Sequence, residues 1–110
     1  GRVSPVIEEA LYLRANQLRK TGDPERAGSL YQALLDAYPR SAHAHWAMYH
    51  LAGIAGTRGD REKAREILIN ISRVSKDPVL LSAARALSAE IELDKDLEGY
   101  EATKPRSERQ

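Results

Sequence analysis

The sequence predicts an all-α chain built from antiparallel helical hairpins stacked as a short solenoid. Three observations carry this. One phrase occurs twice: Gly22-Asp23, Ala27, Leu30-Tyr31 and Leu34, then Gly59-Asp60, Ala64, Ile67-Leu68 and Ile71, offset throughout by 37 residues. Self-similarity at such a period marks stacked helical units. Apolar residues recur at the helical spacings of three and four, and no run of alternating β-branched residues stands out. Start and stop signals cut the chain into five segments with short connections, which set successive helices antiparallel.

The first helix opens at Ser4-Pro5. Serine can cap, and proline fits the first helical position because its missing N–H would be unpaired there in any case. Glu8 and Glu9 follow in the early turns, where the helix dipole favours acids. Ile7, Leu11, Ala15 and Leu18 form the apolar stripe, and Thr21-Gly22 ends it. Asp23-Pro24 repeats the cap-plus-proline opening, with Ala27, Leu30, Tyr31, Leu34 and Leu35 as the second stripe. Tyr38-Pro39 closes that helix, because the residue before proline avoids the helical region. Ser41 is expected to cap a third helix lengthened at its start, with Ala44, Met48, Leu51, Ala52 and Ala55 inward. Gly53 and Gly56 within it each cost up to ~1 kcal/mol against alanine, which is tolerable where another chain segment approaches closely. Asp60 caps the fourth helix, whose inner face is Ala64, Ile67, Leu68, Ile71 and Val74. Asp77-Pro78 opens the fifth, with Leu80, Ala84, Leu87 and Ile91 on one face and fraying expected through Asp94–Tyr100. The expected organisation is a repeat domain over residues 1–102 and a disordered polar tail over 103–110. Within the domain, the first hairpin covers about 5–39, the second about 41–76 and the fifth helix about 78–96.

Composition narrows the function. The 110 residues are 42% hydrophobic and 30% charged, in the usual range for a globular domain, and no stretch approaches a membrane span. No apolar run follows Arg2, so a signal peptide is not expected in the first ten residues. Without cysteine there are no disulfides, thiol nucleophiles or thiolate metal sites. A net charge of +1 argues against a nucleic-acid surface. Arg58, Arg61, Lys63 and Arg65 alternate with Asp60, Glu62 and Glu66, the pattern of a solvated face. No nucleophile triad, phosphate loop or paired carboxylate stands out, so no catalysis and no cofactor are expected. His43 and His50 stand seven residues apart, about 10.5 Å along a helix, too far to share a metal ion.

The repeated unit resembles the tetratricopeptide repeat (TPR). Leu11, Ala15, Leu18, Gly22, Ala27, Tyr31 and Pro39 match that pattern in the first copy. Met48, Leu51, Ala52, Ala55, Gly59, Ala64 and Leu68 match it in the second. The departures are Arg14 in place of a leucine, Lys76 where a proline is usual, and a period three residues longer than the usual ~34. The fifth helix aligns as half of a third repeat. The phrase Tyr38-Pro39-Arg40-Ser41 is similar to one in bacterial envelope-type members, which implies an envelope or periplasmic location.

In that family the first helices of successive pairs line a concave groove. The resemblance therefore implies a scaffold that binds a peptide or a partner helix. The expected contacts are Tyr12, Asn16 and Arg19 on the first helix, Trp46, Tyr49, His50 and Gly53 on the third, and Ser82, Arg85, Ala89 and Glu92 on the fifth. Trp and Tyr would supply wide contact area, and Arg charge-assisted hydrogen bonds. The carboxylate clamp of chaperone-binding members is not expected, since only Asn16 of its groups matches. The alternative is homo-oligomerisation through the fifth helix and the uncapped repeat end, with Ile69, Leu93 and Tyr100 off the main stripes.

Overall fold

The computed structural model describes residues 5–103. Five helices follow in order: α1 (Pro5–Lys20), α2 (Pro24–Ala37), α3 (Ala44–Thr57), α4 (Arg61–Val74) and α5 (Pro78–Thr103). Ser4, the expected cap of α1, and the tail beyond Thr103 lie outside the described residues.

The two copies of the repeated phrase build the same turn. Gly22 and Gly59 take φ of 87° and 84°, a left-handed conformation that glycine adopts without penalty. Asp23 N–H donates to the Leu18 carbonyl and Asp60 N–H to the Ala55 carbonyl, both at 2.9 Å, which satisfies helix-end acceptors. The same aspartates cap the next helix: Asp23 accepts from Arg26 N–H and Asp60 from Lys63 N–H. Gly-Asp thus stops one helix and starts its return partner. Asp77 opens α5 in a related way, its carboxylate accepting from Val79 N–H.

α1 packs on α2 and α3 on α4 as hairpins, α2 joins the hairpins through α3, and α5 lies along α3 and α4. Two buried clusters result. The first holds Ala15, Leu18, Ala27, Tyr31, Leu34, Ala47 and Ile54. The second holds Ala52, Ala55, Ala64, Leu68, Ile71, Leu80, Ala84 and Ile91. α3 contributes to both, which is why its apolar residues run around the helix.

Four expectations need correction. The extra residues of the second repeat do not lengthen α3: Ser41 Oγ accepts from His43 N–H only two residues on, forming a turn, and α3 starts at Ala44. α5 does not end near residue 96 but stays helical to Thr103, with the Arg61–Glu98 ion pair (2.7 Å) tying its second half to α4. Val74 is 52% exposed, on the rim of a recess that also includes Leu35, Pro39 and Met48. Ile7 is 49% exposed, in the first turn of a helix longer than its partner α2.

Candidate functional site

The sequence-derived candidates on α1 and α3 meet. Tyr12, Asn16 and Arg19 follow one another at helical spacings on α1, and Trp46, Tyr49 and His50 do the same on α3. All six are partly buried. Tyr12, Asn16, Arg19 and His50 converge around Tyr31 of α2, whose side chain is fully buried, and Trp46 and Tyr49 join through His50.

The Tyr31 hydroxyl is the polar centre. It donates to Asn16 Oδ1 and accepts from Arg19 Nε at 3.1 Å. The hydroxyl both donates and accepts, so these bonds offset the cost of taking its oxygen out of water. Burial pushes the Tyr31 phenol up, against the opposing pull of Arg19.

Rings extend the network. The Tyr31 and His50 rings stack at 5.2 Å, and Tyr12 stacks on His43 at 4.7 Å, 13° from parallel. Tyr12 Oη lies 3.3 Å from His50 Nε2, a bond the phenol donates when that nitrogen is unprotonated. Tyr49 meets both Trp46 and His50 edge-to-face at 5.5 Å. These offset and edge geometries are the favourable ones for aromatic pairs. Burial, then Arg19 and Lys20, depress His50 from 6.5 to about 4, so the imidazole is neutral at physiological pH.

Beside this network lies a recess of about 430 Å³. Arg19, Tyr49, His50, Gly53, Thr57 and Leu87 line it, with Gly22 and Pro24 of the first turn. It therefore draws on the α1–α2 turn, α3 and α5 together. Its chemistry is two aromatic faces, an apolar floor and the positive field of Arg19 and Lys20.

Arg85 does not join this group. It lies between α4 and α5 with Arg65, Leu68, Ile69, Leu81 and Ser88. Glu92, expected on the same face, accepts from Arg65 of α4 at 2.6 Å. The reason is rotational: Leu87 and Ile91 face α3, which turns Arg85 and Glu92 toward α4 and the open end of the stack. Arg61 and Arg65, expected as a solvated face, also reach across to α5, through Glu98 and Glu92.

Two members of the network were not among the sequence candidates. Tyr31 reads from sequence as a core residue only. Its place at the repeat's aromatic position, on the helix that returns past Asn16 and Arg19, is the signal that points to it. His43 carries no signal, because only the turn at Ser41 brings its ring over Tyr12. Among the described residues no group of three or more His, Asp or Glu side chains is placed to hold a metal ion, and no helix is long and apolar enough to cross a membrane.

Residues 9–41, which span most of α1, all of α2 and the following turn, match a tetratricopeptide repeat family model. No curated protein and no solved structure matches the chain. The first hairpin is thus TPR-like, and the whole is an all-α stack of antiparallel hairpins consistent with a short helical-repeat scaffold.

Proposed function

We propose that this chain is a non-enzymatic protein-interaction scaffold that takes an extended peptide or a partner helix across the face formed by α1, α3 and α5. The observation that carries this reading is the recess of about 430 Å³ where Arg19, Tyr49 and His50 converge, with the rings already held by one another. Rings fixed before binding lose little entropy on binding. The positive field of Arg19 and Lys20 suits an acidic or aromatic anchor on the ligand. Asn16 and Tyr12 serve in this reading as supports, since their polar groups face Tyr31 and His50. Tyr49 is the contact residue within the recess, Trp46 extends the contact beside it through its edge-to-face pairing with Tyr49, and Arg85 lies apart from the interface. The Tyr38-Pro39-Arg40-Ser41 phrase supports an envelope-type location, which fractionation of the native cell would check.

The test is selection of peptides from a displayed library, followed by Kd measurement on wild type, Trp46→Ala and Tyr49→Ala. The expected result is a weakening of about tenfold or more at unchanged helicity, the scale of an aromatic hot spot. Equal affinity in all three proteins overturns the assignment.

A further inference from the structure

The outward face of α5 carries a second feature, which takes in Ser82 and Ala89, expected from the sequence on the groove face but not among the residues lining the recess. Val79, Leu93, Leu97 and Tyr100 are 66%, 56%, 50% and 58% exposed. With Ser82 and Ala86, also exposed, they fall on one stripe at spacings of three, four and seven along the helix. Most of the stripe points away from Leu80, Leu87 and Ile91, which pack on the body, and Leu97 lies at its edge, also bordering a recess with Arg61 and Ile91.

The stripe is complementary to its own reverse. Its first half holds the smaller residues and its second half the larger ones. Laid antiparallel against a second α5, Val79 meets Tyr100, Ser82 meets Leu97 and Ala86 meets Leu93. All three pairs share one midpoint, between Ala89 and Glu90. Small-against-large pairing lets two helices approach closely while filling the gap. Charge follows the same division. Residues 78–89 carry Arg85 and no acid, whereas residues 90–103 carry Glu90, Glu92, Asp94, Asp96, Glu98 and Glu101 against Lys95. Parallel pairing would set the two acidic halves side by side. Antiparallel pairing sets each acidic half against an uncharged or basic one and brings Arg85 within one helical turn of Asp96 of the second copy, on the same flank of the seam.

We infer that α5 is a homodimerisation helix, pairing antiparallel with α5 of a second copy through the Val79–Tyr100 stripe about a two-fold axis between Ala89 and Glu90. Such a pairing is closed and uses one patch twice. The two bodies lie on opposite sides of the paired helices, so both candidate recesses stay open and the dimer presents two of them.

The test combines mass by sedimentation velocity, from micromolar to millimolar concentration, with thiol cross-linking, which the cysteine-free chain makes clean. Wild type should form a dimer. Leu93→Glu should raise the dissociation constant roughly hundredfold, since two leucines leave the seam per dimer, at unchanged circular dichroism. Glu90→Gln should tighten it, because the two Glu90 carboxylates flank the axis on one side. Ala89→Cys should cross-link to itself through a short linker. Val79→Cys should not, since its two copies lie about 31 Å apart along the axis, but it should cross-link to Tyr100→Cys in a mixture. A monomer at millimolar concentration overturns the inference. Self-linkage of Val79→Cys overturns the antiparallel register, even if Leu93→Glu proves too unstable to read.

Discussion

The two hairpins share one backbone turn phrase, but the junctions that α3 makes with α1 and with α5 have opposite chemistry. Shifted by the 37-residue period, Asn16, Arg19 and Tyr31 of the first unit correspond to Gly53, Gly56 and Leu68 of the second. Between α1 and α3 the junction is filled by Tyr12, His43 and His50, and the contacts are rings and polar groups. Between α3 and α5 the two glycines remove the side chains. A Cβ at Gly56 would lie 3.3 Å from Ile91 Cγ1, and one at Gly53 would lie 4.0 Å from Leu87 Cδ2. α5 therefore seats on α3 through aliphatic contact, while α3 stands off from α1 across an aromatic wedge. The difference explains why the recess lies where it does: the wedge leaves space beside Tyr49 and His50 that Leu87 only partly closes. A helical repeat can keep its turns and caps while converting one junction into a polar, aromatic seam and the other into plain core.

The largest test of this contrast is Ile91→Ala, which opens a cavity in the aliphatic junction. It should cost about 2–5 kcal/mol, read by chemical denaturation. A loss well under 1 kcal/mol would mean that α5 is not seated on α3. Next, Tyr31→Phe removes the hydroxyl that serves Asn16 and Arg19. A loss of about 1–3 kcal/mol is expected, whereas Leu68, its counterpart, has no hydroxyl to lose. A neutral Tyr31→Phe would show that the hydrogen bonds to Asn16 and Arg19 contribute nothing to holding α2 on α1.

The third test is pH. Folding lowers the value for His50 from 6.5 to about 4, so the unfolded chain takes up the proton first. Its contribution to stability is therefore complete above pH 6.5, declines as pH falls through that window, and levels off below about 4. Melting temperatures of wild type should fall more steeply across this window than those of His50→Gln, in which the carboxylates still titrate. Identical slopes would place His50 in water rather than in the wedge. The smallest effect separates the two glycines. Gly53→Ala meets Leu87 only at ordinary contact distance and gains helix propensity, so stability should rise by up to ~1 kcal/mol. Gly56→Ala should lose that gain against Ile91. Equal gains at both sites would mean that the α3–α5 contact is looser than its 3.3 Å approach.

What the sequence determined by itself is local. Asp caps, positive-φ glycines, proline starts and a 3.6-residue apolar period depend on residues within a turn or two. The five helices, their hairpin pairing and most of the buried stripe were legible from these signals. Tertiary structure decided which faces meet. The start of α3 depended on a hydrogen bond from His43 N–H to Ser41 Oγ that competes with a cap. Arg85 turns away from the groove because Leu87 and Ile91 fix the rotation of α5 by fitting over Gly53 and Gly56, which lie far earlier in the chain on another helix. The persistence of α5 past residue 96 rests in part on Arg61, a partner on another helix. Tyr31 and His43 entered the site only once α2 and α3 were set against α1. Periodicity gives the angle of each side chain about its own helix axis. The angle between helices comes from packing volume and long-range pairing, which no local window of sequence contains.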